Sequence, residues 1–324
     1  MDRLLEALLL PEPEARQAWA EWRATQDIGT LPYTSQQLFP TLIPAFPEWL
    51  EDDPAAAILK GVVRQAWSQN QLRLRKAVEL DALLTQAQVQ PVIAGPLAWA
   101  LRTKPPAIRV IPHLTLLVPR GDVRKAADAL VHAGWEPDWD LPSDQAWDWG
   151  DHVSFRQENL QVNLHWRLIA VPPEDALECE RAFLAGTVRI EWNQHALWTT
   201  SVEATLLHIL CAQRDGDLPW QADVALAGTA GIHWMTFLEL ARRFGPLAIE
   251  RLRELQPFSR LAIPPLPSDD PGPLRRTFRY VWKRYRAHSY YRKEALCWSG
   301  FAEFLAVAFA RKCVHAVPSR FPRK

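Results

Sequence analysis

Cysteine is scarce in this 324-residue chain, and long apolar runs are missing. The four cysteines form no Cys-x-x-Cys pair and no Cys/His run at zinc-site spacing. Isolated cysteines of this kind indicate a reducing compartment. A spanning helix needs about 18 consecutive apolar residues, and no such run occurs. The first residues also lack the basic and then apolar pattern of a signal peptide. We therefore expect a cytoplasmic protein.

Net charge is missing as well, because 37 basic residues balance 37 acidic ones. A dedicated nucleic-acid binder is usually basic over a whole domain, so no specific nucleic-acid partner is expected. The P-loop, dinucleotide-binding, nucleophile-elbow and His-Glu-x-x-His motifs are absent, and the chemistries they carry have no support. A catalytic serine or cysteine stays open, although nothing in the sequence points to one.

Helical spacing dominates the first part of the chain. Apolar positions predict helices over residues 4–9, 14–25 and 55–86, with a proline-rich break over residues 31–47. The apolar residues of the long third helix, Trp67 and Leu72 among them, are predicted to be core.

From residue 89 the pattern changes to short β-branched segments separated by helices. Strands are predicted over residues 89–93, 114–118 and 188–192, and a hairpin over 153–156 and 160–166. Between them, helices are predicted over 94–101, with Pro96 in its first turn, and over 123–133, capped by Asp122 and ended by Gly134. Further helices are predicted over 202–214, 220–227 and 234–243.

The predicted fold class is α+β, with a small mixed sheet flanked by N- and C-terminal helical regions. The domain boundaries we predict are residues 1–88 for the N-terminal helical region and 89–200 for the α/β core. Residues 201–262 form the C-terminal helical region, and 263–324 hold a proline-rich linker and a basic, aromatic segment.

Five short stretches carry a resemblance to a known family. The first is Val-Ile-Ala-Gly at 92–95, followed by Arg109 and by Pro-His-Leu-Thr-Leu-Leu-Val at 112–118. Gly-Trp at 134–135 ends a predicted helix, and Val-Asn-Leu-His-Trp at 162–166 forms a later strand. This arrangement resembles the uncharacterised nucleotidyltransferase family of the polymerase-β-like superfamily. The helical flanks are similar too, so the resemblance covers roughly residues 1–260.

The resemblance implies a metal site that this chain lacks. Such enzymes hold divalent metal ions between two alternating carboxylates on one strand and a third on a neighbouring strand. Here those positions are His113, Thr115 and Asn163, and the family's lysine is Ala94. Magnesium prefers anionic oxygen ligands, and three neutral residues remove about three negative charges. We therefore expect no metal, no cofactor and no nucleotidyl transfer.

A polar cluster remains at these degenerate positions. Alternation along a strand points His113 and Thr115 to one face, and likewise Asn163 and His165. If the strands pair as in the family, these four residues and Gly95 line one cleft. Three interpretations stay open: a vestigial hydrogen-bonded cleft, a metal-free pocket for a nucleotide or sugar, and a softer metal bound by His113 and His165.

Two further histidines attract attention. Asp151 and His152 suggest an acid–base pair, but neighbours on a strand point to opposite faces, so a structural role is predicted. His208 lies beside apolar positions of a helix and is predicted to be a core or interface histidine with its hydrogen bonds satisfied.

The last part of the chain is strongly basic. From residue 271 to 324 there are 13 basic residues against 2 acidic ones, interleaved with aromatic residues. The simplest interpretation is a helix packed on the rest of the protein. Attachment to a membrane surface and binding of RNA or another polyanion stay open.

Three functional hypotheses follow. The first is a nucleotidyltransferase-like protein that is catalytically inactive and acts as a binding or accessory subunit, with a nucleotide, a sugar or a protein as partner. The second is an active nucleotidyltransferase that uses magnesium and a non-standard acidic residue such as Asp151. The third is a scaffold that binds a membrane or a partner through the basic C-terminal segment.

Overall fold

The computed structural model describes residues 3–31, 33–51, 53–102, 109–138, 151–169, 171, 175–212, 220–258 and 263–266. The basic segment predicted from residue 271 onward and most of the proline-rich linker lie outside these ranges. The interpretations placed on them remain predictions from the sequence.

Helices form the N-terminal part of the chain. They are α1 (Arg3–Leu9), α2 (Glu12–Thr25), α3 (Tyr33–Gln36), α4 (Phe39–Ala45) and α5 (Ala56–Gln86), with single 3-10 turns at Ile28–Thr30 and Pro47–Leu50. The predicted break over residues 31–47 was wrong in part, because it contains α3 and α4. Pro40 lies in the first turn of α4, where a missing backbone N–H leaves no helical hydrogen bond unmade.

The N-terminal helices enclose an aromatic core of their own. Trp19 stacks on Trp22 with ring centroids 5.5 Å apart, and Phe46 stacks on Trp49 at 3.9 Å. Ala222 from a C-terminal helix belongs to the same buried cluster, and α1 contacts that helix. The N-terminal helices are therefore packed against the later part of the chain.

The long helix α5 confirms the prediction for residues 55–86, but its apolar residues are not all core. Leu59, Leu74 and Leu84 are fully buried along one stripe. Trp67 and Leu72 are 45% and 62% exposed, so the prediction that they are core was wrong. Both lie off that stripe at the helical spacing of about 100° per residue.

Seven strands form one mixed sheet. They are β1 (Val92–Ala94), β2 (Leu114–Leu117), β3 (Glu136–Pro137), β4 (His152–Gln157), β5 (Leu160–His165), β6 (Val188–Trp192) and β7 (His195–Thr199). Their order across the sheet is β3-β4-β5-β2-β1-β7-β6. The β2–β5 and β1–β7 pairs are parallel, and the other pairs are antiparallel. This mixed sheet with flanking helices confirms the predicted α+β class.

Helices cover both faces of the sheet. They are α6 (Pro96–Arg102), α7 (Val123–His132), α8 (Ala176–Ala185), α9 (Val202–Ala212), α10 (Trp220–Thr229), α11 (Trp234–Phe244) and α12 (Pro246–Leu255). Val92, Ala94 and Leu117 share one sheet face and one buried cluster with residues of α8 to α12. Helix α7 contacts β3, β5 and α5, and α5 contacts β7.

Several sequence predictions need correction. The first strand begins at Val92 rather than at residue 89, because Pro91 has no backbone N–H to donate to a neighbouring strand. Asp122 precedes α7 but makes no capping hydrogen bond with its side chain. Strands β3 and β7 and helices α8 and α12 were not predicted from the sequence.

The described helices and sheet belong to one compact unit that spans Met1–Leu141 and Asp151–Leu266. Within the described ranges, no helix combines the length and the apolar character that crossing a bilayer requires.

Candidate functional site

The strand register brings together two of the positions at which the resemblance implies carboxylates. Thr115 of β2 lies directly opposite Asn163 of β5, and Asn163 lies opposite Ser154 of β4. Two residues further along, His165 lies opposite His152. The predicted pairing of the two strands is therefore present, and it places these side chains in one polar strip on the sheet face that α9 covers.

Asn163, which the resemblance assigns to the position of the third carboxylate, is hydrogen-bonded within the sheet. Its side-chain oxygen accepts a hydrogen bond from Ser154 Oγ at 2.9 Å and another from Gln161 Nε2 at 2.9 Å. Asn163 is 8% exposed and Ser154 is 5% exposed. A neutral amide oxygen with two internal donors is a poor ligand for a hard dication.

The imidazole ring of His165 contacts two other imidazole rings, those of His152 and His208. His165 stacks on His152 with ring centroids 4.7 Å apart and an angle of 14°, and it meets His208 edge-on at 5.6 Å. His165 Nδ1 donates to the backbone oxygen of Arg167 at 3.1 Å. Burial lowers the pKa of His165 well below its usual value, and the charges of His152 and His208 lower it further. His165 is therefore a neutral residue at physiological pH.

The side chains of His208 and Thr115 both lie next to Gly95. An ideal Cβ added to Gly95 would lie 3.3 Å from Thr115 Oγ1 and 3.5 Å from His208 Nδ1. Both of these atoms are buried and have no hydrogen-bond partner among the described residues. His208 is buried, as predicted, and Nδ1 is the ring atom for which the described residues supply no partner. Burial, followed by the charge of His113, lowers the pKa of His208 to about 3.

Asp151 and His152 lie at the start of β4, as predicted, but their side chains are in contact, although alternation along a strand predicted that they would point apart. The Asp151 carboxylate accepts a hydrogen bond from His152 Nδ1 at 2.6 Å. Asp151 lies just before the first residue of β4, so the alternation that holds within a strand does not fix its side chain. The result is a carboxylate–imidazole pair beside His165, at the edge of the polar strip.

A buried ion pair joins the segment before β2 to α10, and this pairing was not predicted from the sequence. Arg109 binds Asp223 of α10 in a two-point contact, with Nε–Oδ1 at 2.5 Å and Nη2–Oδ2 at 2.9 Å. Trp99 Nε1 donates to Asp223 Oδ1 at 2.9 Å, and Asn70 Nδ2 donates to the backbone oxygen of Arg109 at 2.7 Å. This network fixes the segment that leads into β2, and with it the approach to His113.

His113 precedes β2 and is partly buried, and its charge acts on His208. The interpretation that His113 and His165 bind a softer metal would need a further protein ligand. In the part of the chain that the structure describes, no group of three or more His, Cys, Asp or Glu residues is placed to hold a metal ion.

Residues 37–255 match a family described as "Uncharacterised nucleotidyltransferase". The chain belongs to this family. The matched region begins between α3 and α4, contains every described strand and ends at the last residue of α12. It therefore includes the polar strip, the Arg109–Asp223 pair and α9, so the candidate site lies wholly in the part of the chain that the family shares. No curated protein matches this chain.

Proposed function

We propose that this member of the nucleotidyltransferase family no longer transfers nucleotides and acts as a binding or accessory subunit. One observation carries the proposal. The three positions that the resemblance assigns to metal-binding carboxylates hold His113, Thr115 and Asn163, and the register places Thr115 directly opposite Asn163. Two uncharged side chains, Thr115 and Asn163, therefore lie side by side on neighbouring strands.

Electrostatics supports the loss of metal-dependent chemistry. Two magnesium ions in a nucleotidyl-transfer site are held chiefly by negative charge, which stabilises the attacking and leaving oxygens. Thr115 and Asn163 supply no charge, and the neighbouring His165 is held neutral by burial. The Asn163 oxygen is moreover engaged by Ser154 and Gln161. A metal ion at this position would have to displace internal hydrogen bonds without gaining an ionic contact.

Accessory binding is favoured over a purely vestigial cleft by the atoms left unpaired. Buried polar atoms without partners destabilise a protein by about 1–3 kcal/mol each. Thr115 Oγ1 and His208 Nδ1 are two such atoms, and both lie next to Gly95. A ligand that satisfies them would offset that cost.

A second candidate, an active enzyme, is favoured by the contact between Asp151 and His152. Asp151 is a carboxylate next to the polar strip, and its side chain is 39% exposed. In this alternative Asp151 supplies the negative charge for magnesium, or the pair acts as a general base.

Isothermal titration with each nucleoside triphosphate, with magnesium and with a chelator, separates the two candidates. We expect any binding to persist in the chelator and to be unaffected by Asp151→Asn. The matched control is Asp138→Asn, because Asp138 is also paired with a basic residue, Arg156, but at the far strand edge. Binding that requires magnesium and disappears in Asp151→Asn alone would contradict the proposal and support the active enzyme.

A further inference from the structure

The outward side of α5 exposes bulky apolar side chains. Seven large apolar residues are exposed in the described part of the chain, and three of them, Ile58, Trp67 and Leu72, lie on this helix. They are 53%, 45% and 62% exposed. The other tryptophans of the described ranges are buried or half-buried. Several exposed apolar residues along one helix are typical of a surface that contacts a partner, whereas single ones need no explanation.

Basic residues lie on the same side of α5. The helix has five basic residues and no acidic one before Glu79. Lys60, Arg64 and Arg75 are exposed, and none of them forms an ion pair with a described residue. Glu79 itself is paired with Lys76, whose Nζ lies 2.5 Å from Glu79 Oε2. The exposed charge along most of the helix is therefore positive.

Four exposed side chains align along one side of the helix, and we call them the α5 basic face: Lys60, Arg64, Trp67 and Arg75. Their spacing of four, three and eight residues keeps them within about 80° of the helix circumference. They extend over about 22 Å along the helix axis. Trp67 lies at one edge of this face, and Leu72 lies beyond the other edge. The bulky apolar side chains therefore flank the charges.

The positive charge requires an anionic partner, and the apolar residues indicate its class. A single nucleic-acid strand binds basic side chains through its phosphates and stacks a base on a tryptophan, but it leaves Ile58 and Leu72 in water. An anionic lipid surface suits all of these side chains. Lysine and arginine bind the headgroups, tryptophan prefers the interface, and aliphatic side chains enter the acyl boundary. Because lipids rearrange, a bilayer also accommodates a convex helix without a preformed groove.

We propose that α5 is a docking surface for a membrane containing anionic phospholipids, bound through the α5 basic face together with Leu72 and Ile58. The helix lies in the plane of the membrane interface and does not cross the bilayer. This surface uses neither the polar strip nor the basic C-terminal segment. It is therefore independent of the proposed loss of nucleotidyl transfer, and either inference can fail without the other.

The test measures co-sedimentation of the full chain with vesicles of phosphatidylcholine alone and with vesicles that contain about one third phosphatidylserine. We expect binding to the anionic vesicles only, and we expect salt to weaken it because ions screen the attraction. Lys60→Gln combined with Arg64→Gln should weaken binding roughly thirtyfold, at about fivefold for each basic side chain near an anionic surface. The matched control, Arg16→Gln combined with Arg242→Gln, removes the same charge from exposed positions of α2 and α11 and should bind as the wild type does.

Leu72→Ser separates a membrane from a nucleic acid as the partner. It should weaken vesicle binding by about tenfold, because an aliphatic side chain no longer enters the acyl boundary. Binding of a single-stranded thymidine oligonucleotide should not respond to this change. All the substituted side chains are exposed, so the urea-unfolding midpoint of each variant should match that of the wild type. This check separates a lost surface from a lost fold.

Absence of binding to the anionic vesicles would overturn the proposal. Vesicle binding that survives the Lys60 and Arg64 changes would overturn it as well, because another part of the chain, such as the basic C-terminal segment, would then carry the attachment. An equal loss in the Arg16 and Arg242 control would mean that net charge alone decides binding. Oligonucleotide binding that depends on Lys60 and Arg64, without any vesicle binding, would assign the α5 basic face to a nucleic acid instead.

Discussion

Arg109 and Asp223 lie 114 residues apart in the chain and form an ion pair with two hydrogen bonds inside the protein. Asp223 is completely buried and Arg109 is 6% exposed. Burial raises the pKa of Asp223, and the Arg109 guanidinium and the Trp99 indole oppose that rise. The pair joins the segment before β2 to α10, so it fixes the strand that carries Thr115.

Asp223→Ala should destabilise the protein by about 3–5 kcal/mol, because it leaves the Arg109 charge buried without a partner. The control is the exposed ion pair of Arg156 and Asp138 at the sheet edge, in which Arg156 Nε lies 2.7 Å from Asp138 Oδ1. Asp138→Ala should have an effect of about 1 kcal/mol or less. Urea unfolding of both variants measures the difference. Equal losses at the two sites would mean that the buried pair has no special structural role.

Replacing both members of the buried pair tests the same idea in the opposite direction. Arg109→Met combined with Asp223→Leu removes both charges together, so the double variant should recover much of the stability lost in Asp223→Ala. A double variant no more stable than Asp223→Ala would show that packing, rather than the unpaired charge, dominates the loss.

Stability should fall as the solution becomes acidic, with His208 as one cause. Its folded pKa is about 3, below the ordinary value of 6.5, so the unfolded chain takes up a proton first. The contribution is fully present above pH 6.5 and is lost progressively as the pH falls towards 3. His113, His152 and Asp151 also act on this ring, and only Asp151 favours its charged form.

The loss attributable to His208 is on the order of a few kcal/mol. It is measured as the pH dependence of the urea-unfolding free energy, which should be shallower in His208→Phe. His132→Phe on the exposed surface of α7 is the control and should keep the wild-type slope. A slope unaltered by the His208 change would show that this ring does not carry the effect.

The sequence predicted the elements that have strong periodicity. Helix α5 and the β4–β5 hairpin follow from apolar spacing and turn residues. Strand β7 was missed because its turn, at Asn193 and Gln194, lacks glycine and yet adopts positive φ angles of 46° and 69°. Helix α12 begins with Pro246, which is a sign of a helix start that the sequence analysis did not use.

The part of the candidate site that lies on the strands was predictable from the sequence. Alternation placed Asn163 and His165 on one face, and the resemblance supplied the pairing with β2. The contact of His208 with Gly95 depends on how α9 packs on the sheet, which spacing along one segment cannot show. A lone carboxylate in the apolar α10, Asp223, was the available signal for a buried partner.

Introducing carboxylates at Thr115 and Asn163 tests whether these two positions can hold a metal ion, as the resemblance to the family implies. In Thr115→Asp combined with Asn163→Asp, two buried carboxylates face each other across β2 and β5. Without metal, desolvation and mutual repulsion should destabilise the fold by several kcal/mol. Magnesium should recover part of this loss, because it binds the folded state preferentially.

The measurement for the restored site is the thermal unfolding midpoint in magnesium and in a chelator. The wild type should show no difference between the two, and the double variant should show a higher midpoint in magnesium. Thr41→Asp, at a buried threonine of α4, controls for the cost of burying a carboxylate elsewhere. A magnesium-dependent rise in the midpoint of the wild type itself would contradict the proposal that the chain holds no metal ion.

Gly95→Ala tests the backbone that shapes the cleft. A side chain at φ +61° is strained by roughly 1–2 kcal/mol, and its Cβ would press on Thr115 Oγ1 at 3.3 Å. We expect a loss of about 1–2 kcal/mol in unfolding free energy. Gly61→Ala in α5 is the matched control, because a Cβ there meets nothing within 4 Å and an alanine should stabilise the exposed helix by up to about 1 kcal/mol. Opposite signs at the two glycines would support this geometry, whereas a stabilising Gly95→Ala would mean that the backbone at the end of β1 is not held in the left-handed region.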